Sequence, residues 1–287
     1  EKDCKLISIK STIDSCFQKA YFYKTTSNRP KPLIISLHNW SGNYSQYDGL
    51  SALCIKNEFN YIHPNFRGPN TNPNACLSEK VISDIDDAID YAKKNANVDE
   101  SKIYIIGASG GGYTGLGAFI KSKHEIARIS IWVPITDLIS WFNYGKSKNK
   151  DFIFEILECT SSNKSELNLL EAKKRSPIYW NIPTEKLKNC KISLYTGIND
   201  GIDGDVPISQ SINFYNKTLE RLNVKDSSKY ITIAEKLKLH NPNIPLGEFG
   251  EISNRKVHLK KSYKNISLTI FEGGHEMLIN SAFLDLL

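Results

Sequence analysis

Six short apolar segments, near residues 33 to 37, 59 to 63, 103 to 106, 129 to 135, 191 to 196 and 266 to 271, recur along this chain and alternate with stretches of helical character, notably Glu79 to Asn95 and Ser209 to Leu222. Runs this short, and this rich in β-branched residues, read as strands buried on both faces. Strands separated by helices pair in parallel, with the helices covering both sides of the sheet. Leu6 to Ile9 and Ala20 to Tyr23 are expected to add antiparallel strands at the start of that sheet. The chain's 287 residues suffice for one α/β domain with a large core, and no internal repeat divides it.

One turn in this pattern carries chemistry. Lys102-Ile-Tyr-Ile-Ile106 reads as a strand, Gly112-Tyr-Thr-Gly-Leu-Gly-Ala-Phe-Ile120 reads as a helix, and Gly107-Ala-Ser-Gly-Gly111 joins them. A serine at a sharp strand-to-helix turn is lifted above the sheet in a strained backbone conformation, and flanking glycines leave room for close packing. The helix start also favours developing negative charge. By composition alone, Gly-x-Ser-x-Gly arises in about one chain in ten of this length. Ser109 therefore needs partners, an acid and then a histidine, each just after a strand and C-terminal to it.

His275 fits. It follows Ile266-Ser-Leu-Thr-Ile-Phe271 and sits behind two glycines in Glu272-Gly-Gly-His-Glu-Met277. The other downstream histidines, His124, His240 and His258, lie in polar or basic stretches and are expected to be solvated. The strand Lys191-Ile-Ser-Leu-Tyr-Thr196 opens into a loop holding Asp200, Asp203 and Asp205. Asp200, three residues past the glycine that ends the strand, ranks first as the acid, and Asp203 is the alternative. Asp137 also follows a strand, but its expected role is to cap a helix beginning near Leu138. The three aspartates lack the ligand ladder of a calcium loop, so no metal or other cofactor is expected.

Acyl transfer also requires donors for an oxyanion. The backbone N–H of Gly110, next to the serine, is one expected donor. The loop His38-Asn-Trp-Ser-Gly42, after the strand Leu33-Ile-Ile-Ser-Leu37, offers the N–H of Trp40 as the second, with Asn39 as runner-up. His38 precedes the serine and is expected only to shape this loop.

These features in order, together with Pro64-Asn-Phe-Arg-Gly-Pro69 and the Val-Pro-Ile-Ser209 that ends the Asp200 loop, resemble the catalytic domain of prolyl oligopeptidase-like serine hydrolases in the α/β-hydrolase superfamily. The resemblance covers roughly residues 30 to 287. It implies an α/β-hydrolase fold and a triad of Ser109, Asp200 and His275. Such peptidases usually carry the acid three residues before the Val-Pro pair, which would select Asp203, so the loop reads as carrying a short insertion. The chain has no room for the large N-terminal propeller of the full-length peptidases.

The expected architecture is one domain over 1–287, a mostly parallel central sheet flanked by helices. A helical cap insertion at about 145–188 covers the active site, and a second, basic insertion at about 224–262 ends in a hairpin. A net charge of +6 from scattered lysines argues against nucleic acid as a partner, and no run is long enough for membrane insertion. The chain opens on Glu1-Lys-Asp-Cys, and its six cysteines are even in number. This composition predicts a secreted or periplasmic protein whose signal peptide has been removed, with up to three disulfides; six cysteines allow fifteen connectivities, of which Cys4 with Cys16, Cys54 with Cys76 and Cys159 with Cys190 minimises loop length. The missing propeller and an oxyanion loop, His38-Asn-Trp-Ser-Gly42, similar to the His-Gly-Tyr type of carbohydrate acetyl esterases, favour a serine esterase. Its expected substrate is a small-molecule or carbohydrate-linked ester, with Trp40, Tyr44, Tyr47, Trp141, Tyr179 and Trp180 as sugar-stacking candidates. A small peptidase using the same triad is the alternative, and a catalytically idle binding protein is a third.

Overall fold

In a computed structural model, which describes residues 3–241 and 246–287, each of the six apolar segments becomes a strand. β1 (Lys5–Lys10) and β2 (Phe17–Tyr23) form an antiparallel hairpin. They are followed by β3 (Lys31–Leu37), α1 (Leu50–Lys56), β4 (Asn60–Pro64), α2 (Glu79–Asn95), β5 (Val98–Ala108) and α3 (Gly110–Lys121). After β6 (Arg128–Trp132) come four helices, α4 (Leu138–Ser147), α5 (Phe152–Cys159), α6 (Leu169–Lys174) and α7 (Thr184–Asn189), before β7 (Lys191–Gly197). Then come α8 (Ser209–Arg221), α9 (Ile233–Leu239), β8 (Glu251–Ile252), β9 (Arg255–Tyr263), β10 (Ile266–Phe271) and α10 (Ile279–Leu284).

The strands form one sheet in the order β1-β2-β4-β3-β5-β6-β7-β10-β9-β8. The six from β4 to β10 pair in parallel, and β2 and β9 flank them antiparallel. This is the α/β-hydrolase arrangement, a mostly parallel sheet with helices on both faces. Period-two alternation in β3 splits the core accordingly. Leu33, Ile35 and Leu37 pack with residues of α2, α3 and α8 on one face, while Ile34 packs with Leu50, Cys54 and Phe283 on the other. Because the central strands are parallel, their C-terminal ends share one edge. The loops after β3, β5, β7 and β10 are thereby delivered to one place.

An ion cluster locks the edge hairpin to α2. The Arg67 guanidinium bonds Asp84 through Nε (2.5 Å) and Asp14 through Nη1 (2.7 Å), and Nη2 also reaches Ser11 at 2.9 Å. Burial pushes the Asp84 carboxyl above its ordinary range despite Arg67, whereas the more exposed Asp14 is held well below it by its bond to Arg67. Among the described residues no helix is long and apolar enough to cross a membrane.

One expectation fails. None of the predicted cysteine pairs forms a disulfide. Cys54 is packed on one face of the sheet and Cys76 on the other, so that pair is separated by the sheet itself. Cys159, on α5, sits against Cys76 rather than Cys190, while Cys190 is directed to the Lys191 carbonyl. Cys4 lies near Cys54, not Cys16. Of the six aromatics named as stacking candidates, Trp40, Trp141 and Trp180 are largely buried, Tyr44 is half-buried, and Tyr47 and Tyr179 are exposed.

Candidate active site

The turn after β5 has the strained geometry that its sequence predicts. Ser109 adopts φ 55° and ψ −121°, outside the regions open to ordinary L-residues, and α3 starts at the next residue. Strain of this kind persists only where surrounding packing enforces it. Here a β-carbon added at Gly110 would lie 2.3 Å from the N and Cα of Trp40, and one at Gly111 would lie 2.2 Å from the Leu37 carbonyl oxygen. The turn is therefore pressed directly onto the loop after β3, which only glycine permits.

That loop is held from several sides. The His38 ring stacks on Phe66 (centroids 3.8 Å apart) and its Nε2 lies 2.8 Å from the Asn65 carbonyl, tying the loops after β3 and β4 together. Burial pushes the His38 pKa down to about 4. The Trp40 carbonyl accepts from Asn70 N at 2.8 Å. The Asn39 N–H is already donated to Gln46 Oε1 at 3.0 Å, so the runner-up oxyanion donor is engaged elsewhere. Among the described residues the Trp40 N–H has no acceptor, and it lies beside Gly110, whose N–H at the head of α3 has none within the helix.

The loops after β7 and β10 meet at the same edge. His275 Nδ1 and Asp200 Oδ2 are 2.8 Å apart, and Asp200 Oδ1 accepts from Val206 N at 3.1 Å. Burial raises the Asp200 carboxyl above its ordinary range, opposed by its bond to His275. The Nδ1–H bond holds the tautomer whose Nε2 is an acceptor. Asp203 is exposed on the surface, Asp205 pairs with Lys150 at 2.8 Å, and Asp137 caps α4 by accepting from Ile139 N and Ser140 N. Three aspartates close in sequence thus diverge in space, and among the described residues no cluster suits a metal ion. His124 is paired with Asp90 at 3.2 Å rather than solvated.

Ser109 and His275 both line a cavity of about 420 Å³ together with Asn39, Trp40, Trp141 and Phe152. Among the described residues the Ser109 hydroxyl has no hydrogen-bond partner, the loose geometry common before substrate tightens a site. On the far side, a smaller cavity of about 230 Å³ reaches the same Ser109 and His275 past Tyr47, Val133 and Met277. The β6–β7 connection supplies Lys150, Asp151, Phe152 and Glu155 to the larger one. Sequence reasoning assigned no role to Glu155 or Asn70, since their contacts with Trp40 span 115 and 30 residues.

Comparison with known proteins places this arrangement. The family described as the prolyl oligopeptidase family matches residues 51–236. Two curated relatives from Oryza sativa subsp. japonica are acylamino-acid-releasing enzymes 1 and 2. They are 26% and 25% identical, each over 85% of this chain, which spans only 32% of their length. Among solved structures, the Pyrococcus horikoshii acylaminoacyl peptidase superposes with a TM-score of 0.63 at 15% identity, over 96% of this chain and 38% of that one. A Mycobacterium tuberculosis puromycin-hydrolyzing peptidase gives 0.62 at 15% identity, over 99% and 37%.

Proposed function

The chain belongs to the prolyl oligopeptidase family, and on that premise we propose that it is a serine peptidase of short peptides, with Ser109 as nucleophile, His275 as general base and Asp200 as the supporting acid. The observation that carries this reading is the buried Asp200 carboxylate held 2.8 Å from His275, beside a serine at a strained strand-to-helix turn. In the proposed reaction Ser109 Oγ attacks the peptide carbonyl while His275 Nε2 takes its proton. The developing oxyanion is met by the N–H groups of Gly110 and Trp40. The C–N bond then breaks, the amine leaves with the proton from His275, and water releases the acyl group by the reverse roles.

Amides rank above esters because the solved neighbours are titled peptidases and the curated relatives acylamino-acid-releasing enzymes, whereas none of these names describes an esterase. A cavity of about 420 Å³ suits a ligand of a few residues. The test is a comparison of kcat/KM on free and N-acylated aminoacyl anilides, short peptides, p-nitrophenyl esters and acetylated sugars. Turnover of anilides and peptides is expected, with activated esters cleaved as side substrates. Turnover of acetylated sugars with every amide left intact would overturn the peptidase assignment.

A further inference from the structure

We infer that Glu155, on α5 of the β6–β7 connection, is a positioning residue for the oxyanion loop. This rests on the serine-hydrolase reading, in which the Trp40 backbone N–H is a donor. The Trp40 indole Nε1–H donates to Glu155 Oε2 at 2.7 Å, a short charge-assisted bond in a part-buried setting at the cavity wall. The rest of the Trp40 residue is fixed as well. Trp141 meets the indole edge-on at 4.8 Å and is itself stacked on Phe152 at 4.2 Å, one turn before Glu155 on the same helix. On the main-chain side, the Trp40 carbonyl accepts from both Asn70 N and Asn70 Nδ2. The residue that presents the N–H is therefore clamped between Asn70 at its own carbonyl, in the following peptide, and Glu155 at the end of its side chain.

The bond also joins the helical connection to the catalytic edge of the sheet. With α5 withdrawn or Glu155 absent, the part-buried indole N–H loses its protein acceptor, a cost that favours its rotation. The adjacent backbone, already in van der Waals contact with Gly110, then shifts with it. A donor misplaced by about 1 Å costs about a hundredfold in rate. Glu155 also lines the cavity, so the split between kcat and KM separates positioning from direct substrate contact: a residue acting through Trp40 lowers kcat and leaves KM little changed.

The experiment compares Glu155→Ala, Glu155→Gln and Trp40→Phe with the wild type on the best anilide substrate. The four tryptophan indole N–H resonances are followed in parallel by NMR. Glu155→Ala is expected to lower kcat about 10- to 100-fold with little change in KM, and to move the one indole resonance that Trp40→Phe deletes. Glu155→Gln, which keeps an acceptor but not the charge, recovers most of both losses. A Glu155→Ala enzyme with wild-type kcat, or a Glu155→Gln enzyme as impaired as the alanine variant, overturns the assignment. Impairment expressed in KM alone overturns it too, because it marks Glu155 as a ligand-binding group. A folded wild type that a fluorophosphonate probe never labels at Ser109 refutes the serine-hydrolase reading itself, and the Glu155 role with it.

Discussion

Gly110→Ala is the substitution that most sharply probes how the elbow and the oxyanion loop depend on each other. The added methyl would sit 2.3 Å from Trp40 N and Cα and 2.8 Å from Asn39 C, against an ordinary contact of 3.4 Å or more, so one backbone must retreat by about 1.1 Å. Neither can yield as a flexible side chain does. Trp40 is bonded to Asn70 and Glu155, and Gly111 is pressed on Leu37. Overpacking of this kind costs about 1 to 3 kcal/mol of stability, offset by up to about 1 kcal/mol from the better helix propensity of alanine. The fold is therefore expected to survive. The site is not, since the retreat moves the Trp40 N–H by the distance that defines a productive oxyanion contact. Steady-state kinetics on an anilide should show kcat reduced about 10²- to 10³-fold with KM little changed, and thermal unfolding should show a cooperative transition. A folded variant with wild-type kcat would refute both the close approach and the assignment of Trp40 and Gly110 as donors.

Asp200→Asn should lower kcat about 10³- to 10⁴-fold by disfavouring the His275 tautomer that accepts at Nε2, whereas Asp203→Asn, altering an exposed carboxyl, should stay within a few-fold; a larger loss at Asp203 in parallel rate assays would reverse the assignment. Arg67→Met strands the buried Asp84 carboxylate and is expected to destabilise the fold by about 3 to 5 kcal/mol in urea unfolding, and a loss below about 1 kcal/mol would mean the cluster is replaceable packing. For His38 the folded pKa of about 4 lies below the ordinary 6.5, so the unfolded chain takes up the proton first and stability falls as pH drops from about 6.5 toward 4. The contribution approaches about 3 kcal/mol at full titration. His38→Gln should flatten that part of the stability curve, and an unchanged slope would assign it to other groups.

Much of this was legible because the signals are local. Buried parallel strands must be short and apolar, so β3, β5, β7 and β10 announce themselves, and chain order then ties Ser109, Asp200 and His275 to their C-terminal ends. Counting from the glycine that ends β7 favoured Asp200 over Asp203, because that spacing reflects how soon the backbone turns back over the sheet. What stayed hidden depends on contacts between distant segments. No local pattern reveals that Glu155 reaches Trp40, or that Cys76 and Cys159 meet while Cys54 is stranded across the sheet. The packing of Trp40 against Trp141, 101 residues apart in the chain, is equally a contact between distant segments.

The proposed function requires Ser109 to be an activated nucleophile. Fluorophosphonate labelling followed by intact-mass analysis and peptide mapping tests it most directly. A single adduct is expected on the peptide containing Ser109, formed rapidly by the wild type, slowly by Asp200→Asn and not at all by Ser109→Ala. A folded wild-type protein that takes up no probe, or takes it up at another residue, would contradict it.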